Sequence, residues 1–192
     1  MKHIKIMLSK IIKEETKGSH QRLEAKMVRI IKKIKTDAEY ATFLKSFYAY
    51  FNAVEQETGK FINTEILPDK ALRRDSSYIL ADIQTLGFDL SSLPPAEAPK
   101  VENTLQALSS FYVLEGSIMG GPYIVQMLKK NGITNGFSFF EGYGDQSEEM
   151  WKKYTDVLNK FASDPAQEKS AIDIANQTFD NFEEVFMAEI VK

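Results

Sequence analysis

The feature that most constrains this chain is a glycine-bearing stretch, Tyr112 to Pro122, inside a long helical pattern. Gly116, Gly120 and Gly121 interrupt the pattern, and each costs about 1 kcal/mol relative to alanine in a helix interior. Pro122 also removes a backbone donor. A total of roughly 3 kcal/mol is a large fraction of a domain's stability. A bend, or the close approach of a flat object to bare backbone, should therefore offset it. Apolar residues recur at helical spacing on both sides, at Val101, Leu105, Leu108, Phe111, Leu114, Ile118, Met119, Ile124, Val125 and Leu128.

Gly116 and Gly120 are four residues apart and share one helix face. That face could admit a ligand, allow a second helix to pack closely, or mark a simple kink, and spacing alone leaves the three interpretations open. Length favours a bend. A straight helix over residues 98–129 would be about 48 Å long, whereas a compact globule of this size has a diameter of about 42 Å.

Composition excludes several kinds of site. The 192 residues include no cysteine, which rules out disulfides, thiolate nucleophiles and cysteine-ligated zinc or iron–sulfur clusters. No apolar run approaches the roughly 18 residues of a membrane span. Lysines interrupt the first ten residues too often for a signal peptide. We expect one domain over residues 1–192, located in the cytoplasm.

Charge is unevenly distributed along the chain. Residues 1–35 hold nine Lys and two Arg against three Glu, a net charge of +8. Because the whole chain carries −3, the remainder carries −11. A basic end can attract an anionic ligand or an acidic partner protein. Nucleic acid is disfavoured as a partner because the chain as a whole is acidic, with a pI near 5.5.

Helical periodicity accounts for most of the chain, and no convincing alternating segment indicates a strand. The sequence therefore predicts an all-α, single-domain fold with bundle-like packing. The predicted helical segments are 4–34 with a soft spot at Gly18-Ser19, 37–59 capped by Thr36-Asp37, 69–86 ended by Gly87, 98–129, 147–162 and 165–190.

His20 is the candidate metal ligand. The other histidine, His3, lies near a terminus and is expected to be exposed. Glu24 follows His20 by one helical turn, so its carboxylate can reach one ring nitrogen and leave the other for a metal. The competing interpretation is a partly buried helix histidine with an incidental glutamate. Paired Glu-x-x-His motifs for a di-iron site, a phosphate-binding glycine loop and a Ser-His-Asp triad are not supported.

A metal held by one protein ligand must bring its other ligands with it. Heme supplies four nitrogens and leaves two axial positions, and its flat face suits bare glycines. Its propionates suit a lysine-rich helix, here with Lys10, Lys13 and Lys17.

Two blocks resemble the biliverdin-producing heme oxygenases. The first, residues 12–24, reads Ile-Lys-Glu-Glu-Thr-Lys-Gly-Ser-His-Gln-Arg-Leu-Glu. It is similar to the family's N-terminal helix, in which a histidine is the proximal iron ligand. A glutamate four residues later orients that histidine, and a lysine seven residues before it meets a propionate. His20, Glu24 and Lys13 match these positions.

The second block, Tyr112 to Gly121, resembles the kinked distal helix whose glycines lie against the heme. Gly116, Gly120 and Gly121 match. The resemblance implies a heme-oxygenase-like helical bundle with a kinked distal helix. Weaker similarities cover most of the remaining chain, at Phe47-Tyr48, Glu55, Leu67-Pro68, Arg73-Arg74, Leu86-Gly87, Tyr154, Asn159 and Phe179 to Glu184.

Some positions depart from the family pattern. Ser117 stands where better-known members have an aspartate that organises water near bound oxygen. The Glu-Gly-Ser motif at residues 115–117 resembles the bacterial branch of the family. Thr155 stands where a family arginine would anchor a propionate, with Lys152 and Lys153 nearby. Pro122 after the glycine pair is also unusual. These departures concern rate and regiochemistry more than heme binding.

The resemblance implies oxygen- and electron-dependent cleavage of heme to biliverdin, CO and iron. His20 would ligate the iron and Glu24 would orient it. Gly116, Gly120 and Gly121 would form the distal wall, with Ser117 placing a water. Lys13, Lys152 and Lys153 would meet the propionates.

The implied partners are heme and an electron donor such as a ferredoxin or flavodoxin reductase system, and a homodimer is an open option. Two alternatives remain at this stage. One is a non-enzymatic heme carrier or sensor on the same fold, and the other is a heme-free helical relative.

Overall fold

In the computed structural model, which describes residues 7–162 and 164–186, every regular element is helical. His3, the predicted helical residues 4–6 and those beyond 186 lie outside the described residues. The all-α prediction is confirmed for the described part of the chain. Its elements are α1 (Leu8–Glu15), α2 (Lys17–Ile31), α3 (Asp37–Thr58), α4 (Ser76–Thr85), α5 (Thr104–Met119), α6 (Gly121–Lys130), α7 (Ser147–Leu158) and α8 (Pro165–Val185), with short 3-10 turns at Lys70–Leu72 and Gly144–Gln146.

An aromatic core joins α3, α8 and the loop before α7. Phe47 is 1% exposed, and its ring centroid lies 5.0 Å from that of Phe182 and 5.1 Å from that of Phe140. Tyr50 stacks on Phe182 at 4.5 Å and donates its hydroxyl to the Thr178 carbonyl. Each aromatic ring buries a large apolar area, so this cluster anchors α8 in the middle of the molecule.

The two helices that hold most of the predicted site residues, α2 and α5, both pack against α8. α2 packs along one side of α8, where the Ser19 hydroxyl donates to Asn176 Oδ1 at 2.9 Å. α5 packs along another side, where the Thr178 hydroxyl contacts the Ser110 hydroxyl at 3.0 Å. At the far end, Asn131 donates to the Ile31 carbonyl at 2.7 Å and so ties the end of α6 to the end of α2.

The first predicted helix breaks at Thr16, not at Gly18-Ser19. Thr16 has φ −99° and ψ 2°, outside regular helix geometry, and separates α1 from α2. Its side chain is buried, and both its hydroxyl and its N–H donate to the Ile12 carbonyl. Gly18 stays helical in an exposed position. A threonine that bonds back one turn is a known cause of helix bending.

The third predicted helix begins later than residue 69. Arg73 adopts an extended conformation, with φ −83° and ψ 149°, and its side chain turns into the core. Asp75 then caps α4 by accepting from the Ser77 N–H at 3.0 Å. The interruption therefore follows from the burial of a charged side chain and a new N-cap.

The kink predicted in the glycine-bearing helix is present at Gly120, which separates α5 from α6. The helix begins at Thr104, capped by Asn103, and not near residue 98. Pro122 occupies the first turn of α6, where the missing N–H would have no partner inside the helix. Its position is thus explained by a new helix start. None of the helices within the described residues is both long and apolar enough to cross a membrane.

Candidate functional site

His20 lies on the exposed side of α2. Its side chain is 57% exposed, and Glu24 Oε2 lies 3.9 Å from its Nδ1. That separation is longer than a hydrogen bond, although the pair is in register along the helix. The imidazole meets the ring of Phe179 edge-on, with centroids 5.6 Å apart. The expected i, i+4 pairing is therefore present as a contact, with α8 beneath the imidazole.

The packing of α2 explains this exposure. Ser19, Leu23, Lys26 and Ile31 are its buried residues, and they face the core. His20 and Glu24 lie beside this buried stripe and remain accessible. A ligand can therefore reach the imidazole without any core rearrangement.

Near the kink, the accessible face of α5 and α6 carries glycines in place of bulky side chains. Nearly all of α5 up to Ile118 is buried, but Gly116 is partly accessible and Gly120 is exposed. A Cβ at Gly116 would meet only the Trp151 ring at 3.7 Å, and one at Gly120 only the Ser117 carbonyl at 3.6 Å. Neither glycine is required by the packing of the protein itself. Their missing Cβ atoms leave room for a ligand.

Exposed apolar side chains continue this face. Met119 is 39% exposed and Tyr123 is 74% exposed. They follow Gly116 and Gly120 at spacings of three residues, so the four residues form one strip across the kink. An apolar strip next to bare backbone is suited to the face of a planar apolar molecule.

Gly121 has a different surrounding from the other two glycines. A Cβ there would lie 2.1 Å from the Phe140 carbonyl oxygen, closer than any real contact. The backbone of the loop before α7 thus fills the space beside Gly121. This glycine is required by internal packing, whatever further contact it makes.

The Ser117 hydroxyl donates to the Leu114 carbonyl at 2.7 Å and is partly accessible. Since its one proton is used inside the helix, its oxygen remains an acceptor. It can therefore hold a water molecule by accepting a hydrogen bond.

The donor set fits heme better than a free metal ion. No group of three or more His, Cys, Asp or Glu side chains in the described residues could hold a metal. A metal at His20 would need its remaining ligands from a cofactor. A single accessible imidazole, and a second helix face with no Cβ atoms to hold a flat ring away, match that requirement.

Comparison with known proteins identifies the family. The heme oxygenase family model matches residues 6–188.

The chain belongs to the heme oxygenase family.

Relatives of this heme oxygenase agree with the family match. A curated heme oxygenase from Xanthomonas campestris pv. campestris (strain 8004) is 25% identical over 152 residues, covering 78% of this chain and 90% of that protein. The NO- and CO-bound heme oxygenase of Neisseria meningitidis superposes with a TM-score of 0.76 at 20% identity, covering 95% and 92% of the two chains. The heme oxygenase of Leptospira interrogans gives 0.74 at 20% identity, covering 95% and 100%.

Function follows the family. The protein is a heme-degrading oxidoreductase, and a non-enzymatic carrier or a heme-free relative is not favoured. The solved structures share its helical fold.

The lysines predicted to meet propionates differ in their surroundings. Lys13 is exposed on α1 and has no ion-pair partner among the described residues. Lys152 pairs with Asp156 at 2.5 Å, and Lys153 pairs with Glu149 at 2.7 Å, both along α7. Exposed pairs of this kind exchange partners at little cost. Lys13 is the more readily available of the three.

Sequence reasoning missed a buried charged group on the core side of α5. Glu115 is 2% exposed, and its Oε2 lies 2.5 Å from Arg73 Nη1. Tyr143 donates its hydroxyl to the same carboxylate at 3.2 Å. One sequence signal pointed to Glu115. It is a glutamate within an otherwise apolar helical segment, directly before Gly116, which matches the family's glycine motif. Nothing local in the sequence indicates that Arg73 is its partner.

Burial raises the pKa of Glu115 to about 7, although Arg73 and Tyr143 favour its charged form. Burial alone would lower the pKa of Arg73, but Glu115 and Asp69 outweigh it and the pKa is raised. Burial also raises the pKa of Tyr112 to about 12, so this neighbour in α5 stays neutral at physiological pH. Among the described residues, the core side of α5 therefore holds a carboxyl, Glu115, whose pKa lies near neutrality.

Proposed function

We propose that this heme oxygenase binds one heme between α2 and the kinked pair α5–α6, and cleaves it to biliverdin, CO and iron with O2 and external electrons. The observation that carries this proposal is the pair of accessible faces on two helices packed along α8. One bears the His20 imidazole, which is 57% exposed. The other bears Gly116 and Gly120, where a Cβ would make only ordinary van der Waals contacts, with Trp151 and with the Ser117 carbonyl.

The proximal side supplies binding and orientation. His20 binds the iron through one ring nitrogen, and Glu24 accepts a hydrogen bond from the other when the 3.9 Å contact closes. Such a bond fixes the tautomer and the plane of the ring. Lys13 meets a propionate by charge, and Lys152 or Lys153 does so after leaving its partner on α7.

On the distal side, the protein limits access to the heme. Gly116 and Gly120 let helix backbone approach the ring, with Gly121 at the start of α6 completing the wall. Ser117 accepts a hydrogen bond from a water through the oxygen left free by its bond to Leu114. Bound heme supplies the redox chemistry and is also the substrate. The protein chain orients it and limits access to one face.

The electron donor is an acidic protein of the ferredoxin or flavodoxin type, or its reductase. The net charge of +8 over residues 1–35 supports this choice, because opposite charge steers association. A single domain over 1–192, a cytoplasmic location and a homodimer all remain predictions.

The first test is a hemin titration of the purified protein, followed by reductant or a donor pair in air. We expect a one-to-one complex with a shifted Soret band, which then bleaches as biliverdin absorption rises. His20→Ala should weaken axial ligation and slow turnover strongly. Gln21→Ala, at the adjacent exposed position on α2, is the matched control and should behave like the wild type.

Three results would contradict the proposal. Turnover by His20→Ala at the wild-type rate would remove the assigned ligand. A complex that persists under reductant and oxygen would indicate a heme carrier. Failure to form a stoichiometric complex would leave His20 and the glycines with structural roles alone.

A further inference from the structure

A group of buried and half-buried charged and polar side chains contacts the core side of α5. This group, termed the Arg73 clamp, consists of Asp69, Arg73, Glu115 and Tyr143. Arg73 donates from Nη1 to Glu115 at 2.5 Å, and from Nε and Nη2 to the two Asp69 oxygens at 2.9 and 2.8 Å. Nη2 also donates to the Met150 carbonyl at 3.1 Å. The guanidinium thus joins the turn before α4, the distal helix and α7.

Tyr143 completes the clamp. Its hydroxyl accepts from the Arg74 N–H at 3.0 Å, so its own proton is directed to Glu115 at 3.2 and 3.3 Å. The Glu115 carboxylate therefore receives donors from two segments distant in sequence. The direction of α5 is constrained on two sides at this residue.

The loop that contains Tyr143 packs closely against α5 and α6 at two further points. A Cβ at Gly142 would lie 2.9 Å from Ile118 Cγ2, and one at Gly121 would lie 2.1 Å from the Phe140 carbonyl oxygen. These contacts lie on both sides of the kink at Gly120. The loop and the clamp together support the back of the segment whose front carries Gly116 and Gly120.

The contribution of this buried ion pair to folding stability does not by itself explain the arrangement. Desolvation of two charges often costs as much as their attraction returns, and apolar replacements of similar volume are commonly neutral or stabilising. A fully hydrogen-bonded buried pair instead specifies one relative position of the segments that it joins. Glu115 immediately precedes Gly116, so the position that it specifies is that of the glycine face.

We propose that Glu115, held by Arg73 and Tyr143, is a positioning residue that sets the distance and tilt of the Gly116–Gly120 face over the heme, and thereby the ring edge that is cleaved. This inference rests on the proposed function. Helix backbone in direct contact with a planar ring cannot move without changing that contact. A small shift of α5 therefore changes which meso edge is covered and which is open.

The test compares two clamp variants with one control. Glu115→Gln keeps the shape and removes the charge, and Arg73→Lys keeps the charge and loses the planar fork. Glu55→Gln is the matched control. Glu55 is a half-buried glutamate whose pKa is likewise raised to about 7 by burial, but it accepts from the Ser76 N–H and hydroxyl at the start of α4.

One readout needs no heme. Trp151 is the only tryptophan, and its ring is the nearest group to the Cβ position of Gly116, at 3.7 Å. Its fluorescence in the apoprotein therefore reports the position of the glycine face. We expect both clamp variants to shift Trp151 emission, and Glu55→Gln to leave it unchanged.

The second readout is the biliverdin isomer ratio. Both clamp variants should bind hemin one-to-one and give a several-fold changed isomer ratio, while Glu55→Gln gives the wild-type ratio. If Glu115→Gln does not fold, Arg73→Lys decides the question. Wild-type emission and isomer ratio in the folded clamp variants would overturn the proposal, as would the same changes in Glu55→Gln.

Failure of the underlying function is distinguishable from failure of this inference. A wild-type protein that does not bind hemin contradicts the proposed function. The Trp151 comparison among apoproteins still tests whether the clamp positions the glycine face.

Discussion

Two glutamates, the buried Glu115 and the half-buried Glu55, have raised pKa values. Burial raises the pKa of both Glu55 and Glu115 to about 7. Around Glu115 the facing charged and titratable groups are Arg73, Asp69, Tyr143 and Tyr154, and the Arg73 guanidinium lies 5.4 Å from the Tyr154 ring centroid. Both carboxyls hold a proton in the folded protein at pH values where the unfolded chain has released it.

This difference predicts that stability falls as pH rises from about 4.5 to about 7. In that window the folded state binds more protons than the unfolded state, so raising the pH favours unfolding. The carboxylates with lowered pKa, Glu39, Glu57, Asp89 and Glu149, act only below the window. The measurement is the denaturant midpoint of the apoprotein across this range.

The matched variant for this prediction is the double substitution Glu55→Gln with Glu115→Gln. Its midpoint should be nearly flat over the same window, because neither glutamine titrates. A wild-type midpoint that rises with pH would contradict the assignment.

At the scale of the helix, the three glycines near the kink have distinct surroundings. Gly116 lies inside α5, where a Cβ would make ordinary van der Waals contact with the Trp151 ring, and Gly120 separates α5 from α6. Gly121 lies against the Phe140 backbone. The motif therefore combines two glycines at which a Cβ would be tolerated with a third that an internal close contact requires.

Substitution by alanine should separate these roles. Gly116→Ala should stabilise the apoprotein by up to about 1 kcal/mol, since alanine is the better helix former and the site has room. It should also weaken hemin binding, because the methyl group holds the ring away. Gly121→Ala should destabilise the fold by about 1–3 kcal/mol through overpacking. Thermal unfolding and hemin titration of both variants test this pair.

The opposite pattern would contradict this account of the distal helix. If Gly116→Ala bound hemin as the wild type does, the accessible glycine face would not contact the ring. If Gly121→Ala were as stable as the wild type, the loop before α7 would not be a rigid support.

At the scale of the whole molecule, positive charge is concentrated in the N-terminal segment, residues 1–35. Arg22 pairs with Asp180 at 2.8 Å, and Lys26 lies 4.0 Å from Glu183, so α8 neutralises part of α2. The exposed lysines of α1 and of the start of α2 have no such partners among the described residues. They are Lys10, Lys13 and Lys17. We propose that this charge attracts a propionate and an acidic donor.

Reduction of the heme complex by an acidic ferredoxin-type donor should therefore slow as ionic strength rises. Lys10→Glu combined with Lys17→Glu should slow it further at low salt. Lys169→Glu with Lys60→Glu gives the same change in net charge at two exposed lysines that already have partners. Stopped-flow reduction rates measure the effect. Salt-independent rates, or equal slowing by the control, would exclude steering by α1.

Much of the fold was predictable because helices are specified locally. Periodic apolar residues indicated the helices, and the Thr36–Glu39 capping box marks the start of α3. The glycines indicated the kink. Helix boundaries were less predictable, since Thr16 ends α1 through its own hydrogen bonds and Arg73 leaves helical geometry to reach a partner in α5.

The sequence alone determined the helical class, the family resemblance and the i, i+4 spacing of His20 and Glu24, because periodicity and one-turn spacing are properties of neighbouring residues. Only the tertiary structure decided that Arg73 meets Glu115 across 42 residues and that Gly121 meets the backbone of Phe140. Within residues 7–162 and 164–186, it also decided which lysines have an ion-pair partner. Those contacts depend on how helices pack against α8, and no local pattern encodes the distance between residues that are far apart in the chain.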